Sequence, residues 1–173
     1  MTIYTKKGDR GMTSLINKAS LSKASEIIYL LGSLDEANSY LGIIASGLGE
    51  KGLKKIVIEI QKDIFEISSA VAGAKTTFKH DKVDRLEYLL DKNEKEYPPT
   101  NNFIRFEDNL STQLIYARAL IRKAERDYVK AFEKFKFKDK KEILKYLNRL
   151  SDALFVLARE VNFKSRHKEK RFK

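Results

Sequence analysis

Hydrophobic positions return with a helical period over most of the chain. Ile27, Leu34, Leu41 and Leu48 recur every seven residues, with Leu30, Leu31, Ala37, Ile44 and Ala45 between them. That spacing lines one face of a helix beginning near Ser25. Gly49-Glu50-Lys51-Gly52 reads as a turn. A second helix, from about Leu53 to Ala72, carries Leu53, Ile56, Val57, Ile60, Ile64, Ile67 and Val71. Gly73–His80 is a further turn, and a shorter helix from about Asp81 to Glu96 carries Val83, Leu86, Leu89 and Leu90. Consecutive prolines at Pro98 and Pro99 force a loop. Asp108 or Asn109 is placed to cap a fourth helix with its seam at Leu110, Leu114, Ala117, Ile121, Ala124, Tyr128 and Ala131. A fifth, from about Lys140 to Asn162, carries Leu144, Leu147, Leu150, Leu154, Leu157 and Val161. The pattern predicts an all-α antiparallel bundle of five helices, of the four-helix-bundle or ferritin-like type, with an irregular N-terminal arm over residues 1–23. There is no internal repeat and no composition break, so residues 1–173 read as a single domain.

Composition narrows the class. A chain of 173 residues with 42% hydrophobic content supports a real core. No apolar run approaches the ~20 residues of a membrane span. The N-terminal stretch MTIYTKKGDRG lacks the apolar core of a secretory signal. There is no cysteine, which removes disulfide and thiolate chemistry and points to the cytoplasm. The net charge of +11 favours anionic partners such as nucleotides or nucleic acid. Part of that charge is the basic tail over residues 164–173, with six Lys/Arg against one Glu, which reads as a solvated end.

The candidate chemistry lies on the polar flanks of the helices. Arg118, Arg122 and Arg126 recur every four residues, so three guanidinium groups share a ridge beside the fourth seam, with Lys123 and Glu125 next to them. Like charges at that spacing repel by a few tenths of a kcal/mol per pair, so an acidic partner or polyanionic ligand is expected. The first helix adds Ser33, Asp35, Glu36, Asn38 and Ser39 between Gly32 and Gly42. Each glycine costs a helix about 1 kcal/mol relative to Ala, which suggests close approach of a ligand or another backbone. The fifth helix adds Asn148, Asp152 and Phe155 on one face. The arm holds a Gly-bearing polar loop, Lys6-Lys7-Gly8-Asp9-Arg10-Gly11-Met12-Thr13-Ser14, without the spacing of a Walker loop. A homo-oligomer would set one subunit's flank against another's. Asp35 would then pair with an arginine, Arg126 would join the arm loop in an anion clamp, and Glu125 would hold Mg²⁺ directly or through water. Only His80 and His167 are available as histidines, with no zinc, triad or di-iron spacing.

Taken together, these motifs resemble the PduO-type ATP:cob(I)alamin adenosyltransferases. Tyr4-Thr5-Lys6-Lys7-Gly8-Asp9-Arg10-Gly11-Met12-Thr13 is similar to that family's TxxGDxGxT loop, and Gly32-Ser33-Leu34-Asp35-Glu36-Ala37-Asn38-Ser39 to its G-[ST]-V-D-E-L-N-S. Ala117–Arg126 resembles ARTxxRRAER, and Tyr146–Arg159 resembles YLNRLSDxLFxxAR. The resemblance implies a homotrimeric five-helix bundle with sites between subunits. It implies transfer of the 5′-deoxyadenosyl group of ATP to cob(I)alamin with release of triphosphate. Thr5, Lys6, Gly8, Asp9, Gly11, Thr13, Ser14 and Lys23 would hold ATP with Arg122, Arg126 and Asn148, and Glu125 would assist through Mg²⁺. Asp35, Arg122 and Arg126 would form the catalytic set, with Arg122 meeting Asp35 across a subunit boundary. Phe103 and Phe155 would face the corrinoid. A cobalamin reductase or an adenosylcobalamin-dependent enzyme would be a natural partner; a membrane or nucleic acid would not. Arg118 receives no role.

The chain also departs from the family pattern. Phe103-Ile104-Arg105-Phe106-Glu107-Asp108-Asn109 stands where the family usually reads FILPGGS. Ile16-Asn17-Lys18 lacks a usual glycine, and Ala37 replaces a leucine. Two alternatives therefore stand beside the enzyme: a non-catalytic ATP- or corrinoid-binding regulator or carrier on the same bundle, favoured by the altered loop, and a basic helical nucleic-acid-binding module, favoured by the charge.

Overall fold

The computed structural model describes residues 4, 6, 8–49, 51–97, 100, 102–136, 138–167 and 169–171. Among them are five helices: α1 (Glu26–Gly47), α2 (Lys51–Val71), α3 (Asp81–Glu96), α4 (Asn109–Lys134) and α5 (Lys140–Lys164). Four short strands accompany them: β1 (Met12–Ser14), β2 (Ser20–Ser22), β3 (Ile104–Arg105) and β4 (Lys170–Arg171). The seams read from the sequence are the core. Ile27, Leu34, Leu41 and Leu48 are buried, as are Val57, Ile60, Ile64 and Ile67 opposite them. Asp108 caps α4, accepting from the Ser111 N–H at 2.9 Å, a bond that stabilises a helix by about 1 kcal/mol.

Side-chain contacts fix the helix directions. Ser33 donates to Asp127 at 2.6 Å and Lys123 pairs with Glu36 at 2.7 Å, so α1 and α4 run antiparallel. Part of the polar flank of α1 is thereby used inside the bundle. On the other side, α3 lies parallel to α5. His80 meets Glu142, Arg149 meets Glu87 and Arg159 meets the Tyr97 carbonyl, each across 62 residues. This follows from the antiparallel order predicted from the sequence: consecutive helices alternate in direction, so α3 and α5, two elements apart, run the same way.

α3 is anchored by Asp63 of α2. This carboxylate is buried and accepts from Lys82 at 2.8 Å, from the Tyr146 hydroxyl of α5 at 2.7 Å, and from the Arg85 guanidinium. A buried carboxylate needs such partners to offset its lost hydration. Burial, with Asp63 beside it, pushes the Tyr146 phenol well above its ordinary range.

The far end of α3 carries an exposed clasp. Glu142 raises the pKa of His80 by hydrogen bonding and Asp84 adds to it; His80 in turn lowers Glu142, with Lys145 helping. A raised His80 contributes stability below the ordinary histidine range and loses it as pH rises through the raised value. A lowered Glu142 contributes above the ordinary carboxylate range and loses it as pH falls through the lowered value. The difference in melting temperature between wild type and His80→Gln is therefore expected to be largest near about pH 5.5 and to shrink by about pH 9. A difference that grows toward alkaline pH in thermal melts would remove the clasp from the account.

The arm is a small hairpin. β1 and β2 pair antiparallel with Thr13 opposite Leu21. Lys18 turns the chain at φ 65°, a left-handed conformation that strains a residue with a side chain. Asn17 compensates in part, accepting from the Ala19 N–H at 3.0 Å. The hairpin docks on the end of α2, with the Ile16 N–H donating to the Ala72 carbonyl at 3.0 Å. Gly73 permits this docking: it has φ 89°, and a Cβ there would lie 2.6 Å from the Asn17 amide. Residues 1–3, 5 and 7 of the arm and the prolines of the Pro98-Pro99 loop lie outside the described residues.

The basic tail differs from the solvated end expected of it. β4 pairs antiparallel with β3, with Ile104 opposite Arg171 and Arg105 opposite Lys170. Lys170 pairs with Glu107 at 2.9 Å, and buried Arg159 holds Glu169 through two nitrogens at 2.6 and 3.3 Å. Charge that looked solvated is thus partly neutralised against the altered loop.

Candidate active site

The arm loop forms a compact cationic cradle. The Asp9 N–H donates to the Lys6 carbonyl at 3.3 Å, the Gly11 N–H to the Gly8 carbonyl at 3.2 Å, and the Lys23 N–H to the Gly11 carbonyl at 2.8 Å. Gly11 makes the second turn at φ 74°, a conformation natural to glycine. Lys23 folds its ammonium over Gly8, where a Cβ would lie 3.0 Å from Nζ. So Lys6, Gly8, Asp9, Gly11 and Lys23 share one turn, and Thr13 and Ser14 follow it in β1; Thr5 lies outside the described residues. Turned backbone beside an ammonium suits phosphate oxygens.

The second cluster lies where α4 faces α5. Asn148 donates its amide to Glu125 Oε1 at 3.2 Å, and its own Oδ1 accepts from Arg149 at 3.0 Å. Arg149 is held in turn by Glu87 at 2.9 Å. This chain fixes the Asn148 amide orientation and one carboxylate oxygen. Glu125 and Asn148 line a depression of about 520 Å³ walled by Val129 and Leu144. On its other side Glu125 joins Arg126 along a second, of about 390 Å³. Lys141 and Lys145 also border the first depression. Sequence reading missed both, although their spacing of four and eight residues from Arg149 was a visible signal.

A third cluster lies farther along the same two helices. Phe103, Phe106, Ile115, Arg118 and Phe155 line a cavity of about 340 Å³. Phe106 meets Phe155 edge to face at 6.1 Å, and the Arg118 guanidinium stands 5.7 Å from the Phe155 ring centre. Phe103 is 86% exposed, too much for a core aromatic. Phe103 and Phe155, named from sequence alone, therefore share one cavity, and Arg118 joins them. Burial, then the nearby Arg122 charge, lowers the Arg118 pKa, with Asp152 opposing.

Other expected meetings are not made within the protomer. No hydrogen bond or ion pair among the described residues joins Asp35 with Arg122, both of which are exposed. Nor does one join the arm loop with Arg126 or Asn148. Gly42 is explained locally, since a Cβ would lie 3.2 Å from Gln61, whose amide donates to the Asn38 carbonyl. Gly32 is not: a Cβ there would meet nothing within 4 Å. It lies on a face of α1 that also exposes Tyr29 and Ile43.

Comparison with known proteins bears on this arrangement. A family profile described as cobalamin adenosyltransferase matches residues 3–161. A corrinoid adenosyltransferase of Citrobacter freundii is 32% identical over 165 residues, 91% of this chain and 93% of that protein. One from Bos taurus is 32% identical over 185 residues, 99% of this chain and 76% of that protein. A variant PduO-type ATP:corrinoid adenosyltransferase of Lactobacillus reuteri, complexed with cobalamin and ATP, superposes with TM-score 0.91 at 28% identity, covering 99% of each chain.

Proposed function

The chain belongs to the cobalamin adenosyltransferase family, and from that premise we propose how its residues divide the two substrates of an adenosyl transfer from ATP to a corrinoid. The observation that carries the division is the placing of two distinct clusters along one pair of helices. The Glu125–Asn148 pair with Arg126 is polar and suits a nucleotide. The Phe103–Phe155 cavity presents three aromatic rings, with Arg118 at its wall, and suits the edge of a flat macrocycle.

The reaction forms a carbon–cobalt bond at C5′ of ATP as the C5′–O bond to triphosphate breaks. A reduced Co(I) centre supplies the electron pair. The protein must then orient C5′, exclude water and stabilise the departing triphosphate. Arg126 and the Lys23 cradle take that last role. Glu125 fits a divalent ion, with one oxygen fixed by Asn148. Among the described residues no group of three or more acidic, histidine or cysteine side chains gathers. A Mg²⁺ there would bind through this one carboxylate, with phosphate oxygens and water completing its shell.

The active unit is a homotrimer in this reading, with the arm loop of one subunit facing Arg126 and Asn148 of the next. Asp35 pairs with Arg122 across the same boundary. Three observations support it: the unmade meetings within the protomer, the open space at Gly32, and the exposed Tyr29 and Ile43 beside it. No helix of the described residues is long and apolar enough to cross a membrane.

The test is subunit mixing. Lys23→Ala and Arg126→Ala are each expected to be nearly inactive when reduced cobalamin and Mg-ATP are followed for the visible change to an alkylcobalamin. After the two are dissociated and reassembled at equal amounts, roughly a quarter of shared sites carry neither substitution. Activity should return to about that fraction. A mixture no more active than its parents would place both residues in one protomer's site.

A further inference from the structure

Arg118 is the member of the arginine ridge with no assigned task, and its surroundings are unusual. Its Nε is closed to solvent and has no hydrogen-bond partner. Its guanidinium stands 5.7 Å from the Phe155 ring centre and lines the cavity with Phe103, Phe106 and Ile115. Arg159, four residues after Phe155, shows by contrast how this fold treats a buried arginine, with Glu169 bound through two nitrogens. No such carboxylate reaches Arg118 among the described residues. Asp152 acts on it only at a distance. A buried donor left without an acceptor is costly, and Arg122 one turn away adds repulsion. The cavity, about 340 Å³, is smaller than a corrinoid and so takes an edge of one.

A corrinoid edge offers what this corner lacks. Its ring is flat and apolar, while its rim carries carboxamide groups, and cobalamin adds a nucleotide-loop phosphate. We propose that Arg118 is a corrinoid-binding residue, donating to an oxygen on the corrinoid rim while Phe155 holds the guanidinium plane. The inference rests on the placing of the corrinoid at Phe103 and Phe155. Lysine would not serve equally, because it lacks the planar fork that can stack and donate together.

The test uses the full chain with Mg-ATP bound and cob(II)alamin as the probe, titrated by its visible spectrum. Arg118→Met is expected to weaken corrinoid binding on the order of 10- to 100-fold, the loss of a charge-assisted hydrogen bond. ATP affinity and melting temperature should hold, and Arg118→Lys should recover only part of the loss. Cob(II)inamide, which keeps the carboxamides but lacks the nucleotide loop, identifies the acceptor. An equal loss with both corrinoids assigns a carboxamide, and a loss confined to cobalamin assigns the phosphate. If Phe155→Ala weakens corrinoid binding and Arg118→Met does not, Arg118 only packs and the inference fails while the placing stands. If neither substitution matters, the placing fails and takes the inference with it. A parallel loss of ATP affinity, or of folding in both Arg118→Met and Arg118→Lys, would make the role structural and overturn the proposal.

Discussion

Arg126→Ala is expected to lower kcat/KM for ATP by about 10²- to 10³-fold while shifting the melting temperature by no more than about two degrees. The two halves of that expectation have separate causes. Arg126 is exposed on α4, and no hydrogen bond or ion pair among the described residues holds it within the protomer. Removing it leaves no buried group unpaired, and surface changes of that kind stay within about 0.5 kcal/mol. Its cation, however, borders the same depression as Glu125, the proposed place of the triphosphate. Charge accumulates on the leaving oxygens as the C5′–O bond breaks, so the guanidinium acts more strongly in the transition state than in the ground state. Arg126→Lys should fall between the two, since it keeps the charge but loses the fork. Steady-state kinetics with thermal melts decides the matter. A kcat/KM within threefold of wild type would take Arg126 out of the phosphate site.

Asp63→Ala should do the reverse, costing about 3 kcal/mol of stability while leaving the chemistry of any protein that remains folded near wild type. The substitution strands three donors at once: the Tyr146 hydroxyl, which is fully buried, the Lys82 ammonium and the Arg85 guanidinium. The Arg85 side chain is 43% exposed and water can reclaim it, so the expected loss lies at the low end for a broken buried pair. Lys82 keeps Glu66 at 2.8 Å. Asp63→Ala combined with Tyr146→Phe should cost less than the sum, because one orphaned donor is removed with its acceptor. Urea unfolding midpoints at constant slope measure both. A loss below about 1 kcal/mol would mean that α3 is held by its apolar contacts alone.

The helices were legible because their cause is local. A seven-residue return of Ile27, Leu34, Leu41 and Leu48 can be satisfied only by a helix with one buried face, and all four are buried. The capping role of Asp108 is equally local. Long-range pairing was not. Nothing in the spacing of Val83 and Leu86 tells that α3 packs beside α5. The β3–β4 pairing joins segments more than sixty residues apart and carries no turn signal, so the charges of the tail suggested solvent instead. Spacing alone makes the three arginines equivalent, and only the family resemblance gave Arg122 and Arg126 roles and left Arg118 without one. Burial separates them: Arg118 sits in the aromatic cavity, while Arg122 and Arg126 face outward. Several of the site residues named from motifs fall into three clusters, Asp35 and Arg122 into none of them, and the meetings assigned to a second subunit lie beyond what one chain's pattern or one protomer can display.

The two proposed substrate regions share a rigid spacer. Asn148 and Phe155 are seven residues apart on α5, two turns or about 10.5 Å along the axis. Arg126 and Arg118 stand eight apart on α4, about 12 Å. With the nucleotide and the macrocycle at their proposed places, helix pitch would gauge the separation between them, and loop adjustment would not alter it. A single residue inserted between Asn148 and Phe155 would turn one region by about 100° against the other. Variation that retunes this protein for a bulkier or slimmer acceptor is thus confined to the cavity walls, the β3–β4 strap and the arm.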